Sequence, residues 1–159
     1  MFRQMVSAGR LDRSFYTSII HDSYATGNAV LVVAVVGLIP GLSSFSLAGA
    51  AFAAVSSIVQ AAIVALGVWA AGVYLFRRYG RLPVSFRLVG FANVALIPVG
   101  IGPWLGIRLV QVLLTIASAV WFFAALRVAA RSQFDLDHPE DSFVAGAGIL
   151  AWYVAMILL

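Results

Sequence analysis

Residues 25–76 contain no Asp, Glu, Lys or Arg, and nothing else in this chain narrows its fold so far. Further uncharged stretches run between short charged clusters, which lie between Arg3 and Asp22, Arg77 and Arg87, and Arg127 and Asp141. Apolar segments of this length cross a bilayer as helices, because a helix satisfies its own backbone hydrogen bonds where no water can. The hydrophobic content is 63% and the charged content 10%, against roughly half and roughly a quarter in soluble domains. A soluble core of 159 residues cannot hide so much apolar surface. The fold class this predicts is all-α, a polytopic membrane helix bundle.

Five spans are expected, at about 25–44, 47–76, 86–102, 107–130 and 142–159, forming one transmembrane domain over 25–159. Residues 1–24 interleave Phe2, Met5, Val6, Leu11, Phe15, Ile19 and Ile20 with Arg3, Arg10 and Arg13, the pattern of a short interfacial amphipathic segment. Residues 29–39 resemble a signal-peptide core, but the acids before them and the apolar pattern after them favour a retained span. Pro40-Gly41 kinks or ends the first span, and Ser43-Ser44-Phe45-Ser46 makes an uncharged turn. The second span, at ~45 Å, exceeds a ~30 Å hydrocarbon core and must tilt or project. Pro98, Gly100 and Gly102 interrupt the third, and Pro103-Trp104-Leu105-Gly106 turns the chain into the fourth.

Orientation follows from the arginines near span ends. With the N-terminus inside, Arg3, Arg10, Arg13, Arg77, Arg78, Arg81, Arg87, Arg127 and Arg131 lie on the cytoplasmic side and Arg108 alone lies outside. The expectation is therefore N-in and C-out, in the cytoplasmic (inner) membrane of a bacterium or archaeon.

Little in the chain points to catalysis. There is no cysteine, hence no disulfide or thiolate metal site. Every Asp and Glu lies in the N-terminal segment or the last charged loop, so no carboxylate sits mid-membrane as a proton relay would require. His21 and His138 belong to the flanks, where they cannot hold a haem inside the bundle. No nucleophile elbow, phosphate-binding loop or zinc-protease motif occurs. The expectation is no enzyme, no catalytic residue and no cofactor or metal. The net charge of +4 is spread over loops rather than along one stripe, which argues against a nucleic-acid partner.

Four polar residues within spans, Asn28, Gln60, Asn93 and Gln111, admit two readings. They form a polar path between helices, or they make interhelical hydrogen bonds worth ~1 kcal/mol each. Arg77, Arg78, Arg81 and Arg87 are candidates for contact with anionic lipid headgroups. The acids of 135–141 have hard-ligand chemistry without the spacing of a calcium loop, and otherwise cap the last span or pair with nearby arginines. Gly49-x3-Ala53, Gly67-x3-Ala71 and Ala147-x3-Ala151-x3-Ala155 allow close helix approach, within one bundle or in a dimer. Trp69, Trp104, Trp121, Tyr74 and Tyr79 read as belt or core aromatics.

Ser85-Phe86-Arg87-Leu88-Val89-Gly90-Phe91-Ala92 after the basic turn, then Ile97-Pro98, then the span ending Trp121-Phe122-Phe123-Ala124-Ala125-Leu126-Arg127-Val128-Ala129, together resemble the Yip domain family. These are five-span membrane proteins named for binding Ypt/Rab GTPases. Phe15-Tyr16 through Asp22 is similar to the family's entry segment, so the likeness covers about residues 14–159. The short N-terminal region is that of the bacterial and archaeal members. The resemblance implies a five-span topology and a non-enzymatic scaffold role, acting through membrane lipids and a membrane-protein partner or homo-oligomer. Two other functions follow from the residues alone: a small transporter, channel or lipid-moving protein using the polar path, or an accessory subunit of a larger membrane complex.

Overall fold

A computed structural model describes residues 2–22, 24–42 and 46–158. Among these the secondary structure is entirely helical. Five helical segments are long and apolar enough to cross a membrane: Ala25–Leu42, Leu47–Leu75, Leu82–Leu105, Arg108–Phe134 and Glu140–Leu158. The chain is a multi-pass bundle. Of the turn expected at 43–46 only Ser46 is described; the expected ends of the first and last spans, at 44 and 159, lie outside the described residues.

The N-terminal segment folds as two helices, α1 (Phe2–Gly9) and α2 (Arg13–His21). They are separated at Leu11, whose φ is 58°. Asp12 caps α2, its Oδ1 accepting from the Ser14 amide at 2.9 Å. Both helices lie against the bundle: Ala8, Tyr16 and Ile19 share a buried cluster with Ala29, Leu88, Phe91 and Ala129. Trp121 Nε1 donates to the Gly9 carbonyl at 3.0 Å, tying the end of α1 to the fourth span.

The first span is α3 (Ala25–Leu42), which retains Pro40 near its end. Ser46 caps α4 (Leu47–Ala70), which runs on as a π-helical turn over Ala71–Leu75. The third span starts at Leu82, earlier than the sequence suggests. Pro83 stands in the first turn of α5 (Leu82–Ala92), where the missing N–H has no intrahelical partner to lose. After a 3₁₀ turn, Asn93–Leu96, come α6 (Ile97–Ile101) and a second 3₁₀ turn, Gly102–Leu105. Gly106, at φ 66°, closes the connection. The fourth span, α7 (Arg108–Phe134), runs four residues past its expected end at 130, and α8 (Glu140–Leu158) begins two residues early.

The third span is the centre of the bundle. Its most apolar window is 56% buried, against 22–39% for the other four. This fits its broken backbone, since irregular structure at membrane depth persists only where protein or a cavity covers it. Val89, Ala92 and Ala95 of this span join Val33, Val64, Phe122, Leu126 and Val144 in the main core. By contrast, Leu109, Val112, Leu113, Ile116 and Val120 form an exposed stripe along α7, a surface suited to lipid tails.

Small residues set the helix spacing. A Cβ on Gly67 would come within 2.7 Å of the Ala151 Cβ, and one on Gly41 within 2.7 Å of the Ala50 Cα. The Gly67 and Ala147-Ala151 motifs therefore meet each other, α4 against α8. The Gly49-Ala53 motif faces Gly37 and Gly41 of α3. These motifs are occupied within one chain.

Candidate functional site

The break in the third span has a local cause. Pro98 lacks the N–H that would reach the Val94 carbonyl one α-turn back. The Ile97 amide takes that carbonyl instead, an i→i−3 bond that tightens residues 93–96 into a 3₁₀ turn. Pro98 was expected to interrupt the span; the distortion lies one turn upstream of it.

Asn93 opens this turn, 7% exposed and about halfway along the span Leu82–Leu105. Its Nδ2 donates to the Val89 carbonyl at 2.8 Å, leaving the amide oxygen to face its surroundings. Those surroundings are a cavity of about 190 Å³ between four spans. Ser57 and Gln60 line it from α4, Val36, Gly37 and Pro40 from α3, and Trp152 and Met156 from α8. Gly37 lies close against Ser57, so the hydroxyl is held at the α3–α4 contact. Trp152 Nε1 is buried with no hydrogen-bond partner among the described residues.

No charged side chain lines this cavity. Its polar groups are two carboxamides and a hydroxyl, which can exchange hydrogen bonds with a neutral guest but cannot compensate an ion. Among the described residues no three His, Asp or Glu side chains converge as metal ligands would.

Of the four residues singled out for a polar path, the structure brings Asn93 and Gln60 together. Asn28 is elsewhere, its Nδ2 donating to Gln4 Oε1 of α1 at 3.2 Å. Gln111 packs beside Gly102, its backbone carbonyl accepting from Thr115 Oγ1 at 2.8 Å. Sequence reasoning missed Ser57 and Trp152. Ser57 stands three residues before Gln60, on the same helix face, and that spacing was the available signal. Trp152 carried none.

The four arginines set apart for lipid contact divide. Arg78 reaches Glu140 at 3.6 Å, and Arg77 is exposed in the loop with φ 52°. Arg81 Nε donates to the Tyr79 hydroxyl at 3.4 Å. Arg87 turns inward: Nε donates to Thr26 Oγ1 at 2.6 Å, and Nη1 to the carbonyls of Ile20 and Asp22 at 3.3 and 3.0 Å. In the acidic loop, Asp141 is fully buried and contacts Arg127 and Arg131. Compared with known proteins, the chain matches no family model, no curated protein and no solved structure, so its site is read from geometry alone.

Proposed function

We propose that this chain is a non-enzymatic membrane protein, a small transporter or channel, that admits a small uncharged hydrogen-bonding solute between its helices. The observation that carries the reading is the mid-span cavity, where Asn93, Gln60 and Ser57 meet at the broken third span, walled by Trp152. Size narrows the guest. Sites for drug-sized ligands run to about 300–1,000 Å³, and this one is about 190 Å³, room for several waters or one small solute rather than a phospholipid. The absence of charge in the lining favours neutral guests, because an ion there would lose its hydration without a counter-charge. The arginine bias supports an N-in, C-out placement in a cytoplasmic membrane, with the cavity towards the outer half.

The test is solute flux in vesicles reconstituted with the purified chain, across a panel of small neutral solutes. Flux that falls on replacing Asn93 and Gln60 by Leu, with the fold retained, supports the reading. No flux for any solute in the panel sinks it.

A Yip-type scaffold is the second reading. It is favoured by one observation: the two segments that carry the resemblance pack together, with Val89 and Ala92 in the same core as Phe122, Ala125 and Leu126. A partner recovered in stoichiometric amount from the native membrane after mild extraction would establish it over transport. A chain recovered alone would count against it.

A further inference from the structure

A second cavity system lies at the arginine-rich end of the bundle, away from the mid-span site. Two adjoining clefts of about 290 and 390 Å³ share Ile20, His21, Arg81 and Val84 as walls. Tyr79 lines one and Arg87 the other. The clefts sit where α2 ends and the third span begins, the depth at which lipid headgroups meet helix ends.

Charge accounting separates these arginines from their neighbours. Arg78, Arg127 and Arg131 each contact a carboxylate. Among the described residues neither Arg81 nor Arg87 does. Arg87 is held by two backbone carbonyls and a hydroxyl, and Arg81 by a phenol, all neutral acceptors. These bonds fix direction without cancelling charge. Asp22 is nearest in sequence to this corner, and its carboxylate accepts from the Tyr24 amide at 2.9 Å. Two guanidiniums without counter-charge thus border one cleft, with the His21 imidazole beside them.

The cleft is also built. Trp69 Nε1 donates to the Gly80 carbonyl at 3.1 Å, and Gln133 Nε2 to the Arg81 carbonyl at 3.1 Å. The buried Ser85 hydroxyl donates to Gln133 Oε1 at 2.8 Å, locking that carboxamide. The loop carrying Arg81 is therefore pinned to two spans. Ile20, Pro83 and Val84 supply apolar wall next to the charges. Guanidinium groups match phosphate oxygens in geometry and charge, and an apolar wall beside them suits the glycerol end of a lipid.

We propose that this cleft binds the phosphate group of an anionic membrane phospholipid, through Arg81 and Arg87. Arg77, exposed two residues from Tyr79 but outside the cleft, takes no part.

The experiment uses the full chain in nanodiscs of phosphatidylcholine containing a defined fraction of phosphatidic acid or phosphatidylglycerol, with retained lipid read by native mass spectrometry. Arg81→Gln is expected to weaken retention of the anionic lipid roughly fivefold, and Arg77→Gln to leave it unchanged. Arg81 is exposed and holds its loop through backbone groups, so the fold survives its replacement. Arg87→Gln, which also frees the end of α2, serves as the second variant and is expected to lose at least as much. Equal losses in Arg77→Gln and Arg81→Gln would overturn the proposal in favour of diffuse surface attraction. So would unchanged retention in both. Inorganic phosphate is the other source of the same chemistry. If millimolar phosphate binds the chain in pure phosphatidylcholine discs and, in the mixed discs, displaces the anionic lipid fully, the lipid assignment fails.

Discussion

Arg131 Nε lies 2.6 Å from Asp141 Oδ2, a close ion contact whose N–H is not aligned as a hydrogen bond. Arg127 completes the group from one turn earlier, its Nη2 3.0 Å from the same oxygen, and the Ser142 hydroxyl donates to Oδ1 at 3.1 Å. One carboxylate at the head of α8 thus joins the last two spans. Removing one member of a buried ion group leaves charge uncompensated, at about 3–5 kcal/mol when all partners are buried. Here the arginines are 31% and 35% exposed, so Asp141→Asn is expected to cost about 3 kcal/mol or less. Thermal unfolding in mild detergent should show a clear fall for Asp141→Asn and none for Asp135→Asn, which removes an acid from the same loop. Equal behaviour of the two variants would refute the role given to Asp141.

Helix contacts in lipid gain little from the hydrophobic effect, since the tails are as apolar as the side chains, and rest on close packing. Gly67 against Ala151 tests this. Gly67→Val must push α4 from α8 or distort both, at about 1–3 kcal/mol. Gly146, five residues before Ala151 in the same helix, has nothing within 4 Å of where a Cβ would stand, so Gly146→Val is expected to stay within about 0.5 kcal/mol of the parent. Unfolding by a denaturing detergent compares the pair. A neutral Gly67→Val would mean that this contact does not set the spacing.

At the other end of the chain, Asp12 accepts from both the hydroxyl and the amide of Ser14. The Ser14 hydroxyl, ahead of the amide, holds its carboxyl below the ordinary aspartate range. The sign follows: a lowered value in the folded state means the cap stabilises α2 above the ordinary range and is lost as pH falls through the lowered value. The Asp12 carboxyl carbon, followed by NMR, should titrate at lower pH than the same residue in a denatured peptide. Ser14→Ala removes the hydroxyl bond but keeps the backbone amides, and should move it part of the way back. A titration indistinguishable from the peptide's would remove the cap from the account.

Five spans were legible because lipid imposes one rule everywhere: no charge and no open backbone over a bilayer's width. What escaped were features set by distant partners. Pro83 reads locally as a turn, yet it is a permitted first-turn residue once α5 packs on α3 and α7. Arg87 reads as one more basic loop residue, while its acceptors Thr26 and Ile20 lie 61 and 67 residues away in sequence. The candidate cavity was half legible: Asn93 and Gln60 stand out as carboxamides in apolar runs, whereas Trp152 resembles any interfacial aromatic until α8 is placed beside α4.

Pro98 offers the sharpest test of how the broken span makes the cavity. Pro98→Ala restores an N–H one α-turn below the Val94 carbonyl, which now accepts from Ile97. A regular turn should then replace the 3₁₀ geometry over 93–96, rotating Asn93 relative to Gln60. Because the chain has no cysteine, a single Ser57→Cys gives a clean reporter of access from the cavity. Its labelling by a small polar thiol reagent should exceed that of Val64→Cys, whose site in the same helix is 1% exposed. Adding Pro98→Ala should reduce labelling at Cys-substituted Ser57 several-fold, and the amide it introduces at position 98 should exchange slowly once bonded to the Val94 carbonyl. If the introduced amide is protected while labelling is unchanged, the helix has straightened without the cavity depending on it. The link between the proline and the site would then be wrong, and the small residues of α3 would remain as what holds the cavity open.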